Sequence, residues 1–179
     1  DTAQSLNNLG GLLQAMGDLA GARPYYERAL AICERVLGPE HPDTAQSLNN
    51  LGYLLRAMGD LAGARPYYER ALAICERVLG PEHPATAGSL FNLGKLLQDM
   101  GLADAAIPYL QRELAVCEKR QGLSHPDTLH SVFNLLSLYA ETGRDADASA
   151  LVEHIMQDEQ ASAAIRQLIG EAGGEGFQG

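Results

Sequence analysis

Apolar side chains along residues 43–84 fall into two runs with the period of an α-helix. Leu48, Leu51, Leu54, Leu55 and Met58 recur at three- and four-residue spacing, and Ala64, Tyr68, Ala71, Leu72, Cys75 and Leu79 do the same. Gly59 separates the runs, because glycine tolerates the left-handed backbone found just past a helix end, and Gly80-Pro81 stops the second. Asp43, with Gln46 three residues on, is a predicted N-cap in a capping-box arrangement, and Asp60 is predicted to cap the second helix. Pro66 sits near the start of that helix, where the loss of one N–H costs less than it would further along and a slight bend is expected.

The two-helix pattern returns every 42 residues. Residues 1–42 and 43–84 differ at two positions only, Gly11 against Tyr53 and Gln14 against Arg56, while residues 85–126 and 127–168 follow more loosely. Gly52 and Ala64 place minimal side chains on the seam between the helices, so that the backbones come close while Tyr68 and Leu48 fill the adjacent space. A lone hairpin of this kind cannot bury its apolar faces, but stacked copies build one quasi-linear core. The expected units are residues 1–42, 43–84 and 85–126, a degenerate fourth at 127–169 with a C-terminal capping helix, and a flexible tail at 170–179. In the fourth unit Leu136 replaces the glycine of positions 10, 52 and 94, and the second-helix proline is missing. Asp145, Asp147, Glu153, Asp158 and Glu159 make its later surface polar, as a cap facing water requires.

The unit SLNNLGYLLRAMGDLAGARPYYERALAI resembles the tetratricopeptide repeat, with Leu48, Leu51, Gly52, Leu55, Ala64, Tyr68 and Ala71 at that family's signature positions. The usual period is 34 residues, and eight more add roughly 12 Å of helix at about 1.5 Å per residue. With ALAICERVLGPEHPDTAQSLNNLG, the chain is similar to the kinesin-light-chain subtype over residues 1–158. The resemblance implies an all-α, right-handed superhelical solenoid of antiparallel helix pairs, in which the first helix of each pair lines a concave groove that holds a peptide.

In that frame the solvent-facing positions of the first helices form columns. One is uniform, Asn8, Asn50, Asn92 and Asn134. An amide both donates and accepts, so such a ladder can bond the backbone of an extended peptide whatever its sequence, as the resemblance implies; alternatively, these amides bond between helices or to neighbouring carbonyls. Asn7 and Asn49 give way to Phe91 and Phe133, turning the groove apolar toward its C-terminal half. Gly11, Tyr53, Lys95 and Ser137 form a further column, and Gln14, Arg56, Gln98 and Ala140 another, with Asp99 and Glu141 close by. Kinesin light chains that take acidic, tryptophan-bearing cargo use a more basic groove, so an extended ligand of mixed charge with one apolar anchor near Phe91 and Phe133 fits these residues better.

Charge narrows the partner class. Thirteen basic and 23 acidic side chains give a net −10, which argues against nucleic acid, whose binders need cations to displace counterions from phosphates. The excess is concentrated: residues 127–179 carry nine acidic and two basic groups, whereas residues 85–126 balance. No run of about 18 apolar residues predicts a membrane span, and the start lacks a secretory signal. The chain opens in phase with the repeat and without Met, as expected of a fragment of a longer protein.

Catalytic and metal chemistry find no pattern. There is no glycine-rich phosphate loop, nucleophile elbow or HExxH, and no cofactor is expected. Cys33, Cys75 and Cys117 stand one repeat apart, too far for disulfides at helix packing distances of about 8–10 Å, and read as small apolar packers that favour the cytosol. His41, His83 and His125 precede Pro in each inter-repeat loop and are expected to order the turn by a bond to a helix end. The expected function is therefore non-enzymatic protein binding within a larger scaffold or adaptor. The alternatives are self-association through the uncapped first repeat, whose Leu6, Leu9 and Leu13 want a partner, and service as the sensing arm of a bacterial signalling ATPase or protease.

Overall fold

The computed structural model describes residues 2–174, and side chains as far as residue 167. The described residues form nine helices and no strand: α1 Thr2–Ala15, α2 Leu19–Val36, α3 Pro42–Ala57, α4 Leu61–Val78, α5 Pro84–Asp99, α6 Ala103–Gln121, α7 Pro126–Glu141, α8 Asp145–Gln157 and α9 Glu159–Gly174. The chain is an all-α repeat solenoid, and it divides into two compact units, Asp1–Tyr109 and Leu110–Gly179.

In the first unit α1 pairs with α2 and α3 with α4, while α2 lies against α3 and α4 against α5. Each hairpin therefore serves as the floor for the next. Leu48, Leu51, Leu54 and Leu55 of α3 and Leu90, Leu93, Leu96 and Leu97 of α5 are all buried. At the corresponding positions of α1, Leu9 is 39% and Leu12 58% exposed, against 2% and 0% for Leu51 and Leu54.

The helix starts differ in one respect from the sequence expectation. Asp43 does not cap α3; His41 does, its Nδ1 accepting from the Asp43 N–H at 3.1 Å, with Pro42 opening the helix. A proline at the first helical position has no N–H to cap and the dihedral a helix needs, so it fixes the cap one residue upstream. Asp43 then sits in the first turn, where its negative charge complements the helix dipole. His83 and His125 repeat the arrangement on α5 and α7, so the inter-repeat histidines order the turn as expected. The hydroxyls of Thr44 and Thr86 tie the same turns by donating to the Gly38 and Gly80 carbonyls at 2.8 and 2.7 Å. Asp60 caps α4 as expected, accepting from the Gly63 N–H.

Within the first two hairpins the close approach is made by glycine against tyrosine. A Cβ added at Gly52 would lie 2.9 Å from the Tyr68 ring, and one at Gly10 would lie 3.1 Å from the Tyr26 ring. In the third unit Gly94 is kept while the tyrosine position is Leu110, and in the fourth both have changed, to Leu136 and Val152.

In the second unit α7 packs on α8 and α8 on α9. The segment after α8 forms a separate helix rather than an extension: Asp158 leaves the helical backbone and its carboxylate accepts from the Ala161 N–H at 2.7 Å, capping α9. Helix α9 runs on to Gly174, five residues into the stretch expected as a tail. The remainder of that expected tail, 175–179, lies outside the described residues.

Gly52→Ala is expected to lower the melting temperature. Overpacking against a fully buried tyrosine costs roughly 1–3 kcal/mol, more than the roughly 0.5–1 kcal/mol that alanine gains over glycine in a helix. Gly88→Ala, where an added Cβ meets nothing within 4 Å, is expected to raise it. Thermal unfolding of both variants by circular dichroism checks the contrast.

Candidate functional site

The predicted site residues divide into those that hold repeats together and those that face outward. Asn7 and Asn49 belong to the first group. Their Nδ2 atoms donate to the hydroxyls of Ser47 and Ser89 in the following repeat, at 3.3 and 3.0 Å. The same hydroxyls meet the thiols of Cys33 and Cys75 at 3.5 and 3.6 Å. Each junction thus contains a small polar node of Asn, Ser and Cys inside an otherwise apolar seam. The packing role expected of the cysteines holds for Cys33 and Cys75, which are buried and unbridged.

Asn8 and Asn50 turn outward by the 100° that separates neighbours on a helix. Each accepts from a glutamine one turn earlier: Gln4 donates Nε2 to Asn8 Oδ1 and Gln46 to Asn50 Oδ1, both at 3.0 Å. Asn92 has Gly88 at that earlier position. An open cleft of about 420 Å³ lies here, bounded by Gln46, Asn49, Asn50 and Tyr53 of α3 and by Pro84, Ala85, Gly88 and Asn92 of α5. None of these side chains is ionised.

Tyr53, half exposed, links this cleft to a second one of about 260 Å³ formed with Arg56, Ala57 and Asp99. Arg56 is ion-paired with Asp99 of the next repeat, so the cation expected to meet a ligand is already engaged. This exchange has a cost further in. In the first repeat the Tyr26 hydroxyl donates to Gln14 Oε1 at 3.0 Å. Arg56 stands at Gln14's position in the second repeat, and the Tyr68 hydroxyl is buried with no protein partner, its acidity weakened by burial. Lys95 donates to Gln98 at 2.7 Å on its own helix, and Phe91 is half-buried.

In the second unit Phe133 is 45% exposed and lines a cleft of about 380 Å³ with Ser124, Pro126, Leu129, His130, Ala164 and Gln167. Asn134 is half-buried beside it, its Nδ2 enclosed without a protein acceptor.

The third repeat solves its junction with a charge that the sequence reading missed. Position 113 is Glu where the first two repeats have Ala29 and Ala71. Glu113 is 6% exposed; its Oε1 accepts from Ser131 Oγ at 2.7 Å and from Cys117 Sγ at 3.1 Å. Burial pushes the Glu113 carboxyl up, against the opposing pull of those two bonds and of His130. The Cys117 thiol is pushed up to about 12, by its own burial first and then by the Glu113 carboxylate. Such a thiol stays protonated and unreactive. Among the described residues no group of three or more His, Cys, Asp and Glu side chains could hold a metal ion, and no helix is long and apolar enough to cross a membrane.

The 42-residue hairpins, the Gly–Tyr seam and the stacking of each hairpin on the next define a helical repeat protein. A family model for the tetratricopeptide repeat matches residues 1–65, 47–119 and 87–157, and the chain belongs to that family. Among solved structures it is similar to a Podosopora anserina protein assigned as a kinesin light chain with nearly identical TPR-like repeats. Identity is 27% and the TM-score 0.72, over 93% of this chain and 76% of that one. A single-substitution variant of the same protein gives 26% and 0.73 over the same shares. The fold is also that of BtubC (BKLC) from P. vanneervenii, at 24% identity and a TM-score of 0.78, over 99% of this chain and 66% of that one. No curated protein matches the chain in sequence. The kinesin-light-chain-like character expected from the 42-residue period is thus shared with solved structures, and tetratricopeptide arrays serve in general as protein-interaction scaffolds.

Glu113 yields a prediction with a definite sign. Its folded-state pKa lies above the ordinary 4.5, so the folded chain holds the extra proton in the interval between the two values. Stability therefore falls as pH rises from about 4.5 through the folded pKa, and the loss is complete above it. Glu113→Gln, which keeps an acceptor for Ser131 without the charge, is expected to melt higher than the parent at pH 7.5. That gain should shrink as pH falls toward 4.5, read from melting curves across the series.

Proposed function

We propose that the outward face of the first helices holds an extended segment of a partner protein, with Asn50 and Asn92 bonding its backbone and Tyr53 packing against it. The observation that carries this reading is the uncharged cleft between α3 and α5, where two amides one repeat apart share one depression. A peptide backbone presents one donor and one acceptor per residue, and an asparagine side chain matches both. Asn8 extends the face one repeat earlier. In the second unit Asn134 and Phe133 would serve the same segment class, Phe133 offering an apolar anchor. Asn7 and Asn49 have their Nδ2 donors engaged at the repeat junctions, so Asn49 contributes to the cleft as part of its wall. Arg56 and Lys95 would act at the rim, through rearrangement of bonds they already make. Free cysteines at all three positions support a reducing compartment such as the cytosol.

Peptides selected from a random display library on the purified chain test the reading. Asn92→Ala and Asn50→Ala are each expected to weaken a selected peptide by about 0.5–1.5 kcal/mol, the net worth of one hydrogen bond. Calorimetry showing unchanged affinity for both would remove the amides from the site.

A second reading rests on α1. Its residues 2–15 include no charged side chain, and Leu9 and Leu12 are exposed whereas their counterparts Leu51, Leu54, Leu93 and Leu96 are buried. This supports stacking of a second copy on that face. Light scattering over a concentration series up to tens of micromolar is expected to show a dimer that Leu12→Glu abolishes; a monomer throughout would count against it.

A further inference from the structure

The repeats differ at the position one turn before the outward asparagine. It is Gln4 in α1, Gln46 in α3 and Gly88 in α5. Where glutamine is present, its carboxamide crosses to the asparagine at 3.0 Å, and the two instances are alike. At Gly88 the side chain is gone, a Cβ there would meet nothing within 4 Å, and the space opens directly into the cleft that Asn92 lines. The glycine is not serving the backbone. It lies within α5 and is absent from the positive-φ glycines, so an ordinary side chain could stand there.

We propose that this vacancy is a carboxamide-specific well: a glutamine side chain of the bound segment occupies the space that Gln4 and Gln46 fill in their own repeats, its Nε2 donating to Asn92 Oδ1. The inference rests on the peptide-binding reading above and names its specificity. The walls favour this occupant over others. Gln46, Asn49, Asn50 and Asn92 supply amides, Tyr53 a ring face, Pro84 and Ala85 apolar surface. A carboxylate or ammonium group entering among them would lose hydration with no counter-charge in the lining, and an aliphatic chain would cover amides without bonding them. A primary carboxamide both donates and accepts, so it satisfies an amide-lined site at either atom. The protein carries its own template for the geometry, since Gln46 on Asn50 shows the same pair of groups bonded one repeat earlier. Glutamine is preferred to asparagine because the template spans the distance with a glutamine-length side chain.

The test uses the whole chain and peptides selected on it from a random display library. Selected peptides are expected to share a glutamine at one fixed position, and changing it to glutamate or leucine should weaken binding at least tenfold. Gly88→Gln, which refills the well from within, should weaken the same peptides at least tenfold while melting no lower than the parent. Gly88→Ala, which keeps the well open, should retain them and so separates occupancy of the space from helix stability. Peptides that lose affinity with Asn50→Ala and Asn92→Ala, but are indifferent to Gly88→Gln and to loss of their glutamine, would overturn the well and leave the groove standing. Peptides indifferent to all of these changes, or no selected peptides at all, would overturn both.

Discussion

Every leucine on the buried side of α3 and α5 is covered by a hairpin that comes before it in the chain, and this dependence of each repeat on its neighbour governs the rest of the molecule. Leu48, Leu51, Leu54 and Leu55 could not be buried by α4 alone; α2 supplies the remaining wall. The constraint fixes the phase of each hairpin on the last, and several local devices serve it. The His-Pro cap and the threonine bond to the preceding glycine carbonyl set where each first helix starts. The Gly–Tyr contact sets how closely its partner approaches. The Asn–Ser–Cys node then sits inside the seam, where a hydrogen bond between polar groups that both lack water is satisfied at only one relative position of the hairpins. Apolar contact is tolerant of sliding; the node is not.

Once the seam faces are committed, change is tolerated best on faces that point outward from the stack. The near-duplicate repeats show this directly. Their two differences, Gly11 to Tyr53 and Gln14 to Arg56, both fall on the outward face of α3 and both line the clefts shared with α5. The second has an internal consequence, since Arg56 engages Asp99 and the Tyr68 hydroxyl gives up the acceptor that Tyr26 keeps in Gln14. The second repeat therefore differs from the first both on this outward face and at the Tyr68 hydroxyl behind it.

The hairpins were legible because a 42-residue period with helical spacing admits few other folds, and the caps at Asp60 and the glycine stops followed from local rules. Other features were hidden for physical reasons. Asn7 and Asn8 are neighbours in sequence and differ by 100° around the helix, so a column of asparagines looks the same whether it faces a seam or a groove. The bond from Asn7 to Ser47 spans 40 residues and could be read only from coordinates. Asp43 has the residue type of a cap, yet Pro42 moves the helix start and decides the matter. Glu113 was overlooked because a glutamate in a helix reads as solvated; only against Ala29 and Ala71 does it stand out as a buried departure. Gly88 was visible in the same way, as the missing member of a glutamine series, but its meaning depended on knowing that Gln46 reaches Asn50.

Electrostatics separates the two ends of the chain and bears on how a partner would be chosen. The acidic excess lies mostly in residues 127–179, whereas the cleft between α3 and α5 is lined by neutral groups, and of the two cations at its rim Arg56 is ion-paired with Asp99 and Lys95 is bonded to Gln98. On the proposed reading, a cleft lined by neutral groups steers an approaching ligand weakly, since long-range attraction needs uncompensated charge. On that reading discrimination would come from short-range terms: which donors and acceptors find partners, and which side chain fits the space beside Asn92. Sites of that kind reject a wrong ligand by leaving buried polar groups unpaired rather than by repelling it. A neutral, amide-lined cleft with one side chain missing from its wall is suited to that form of selectivity, and a more basic groove would not be.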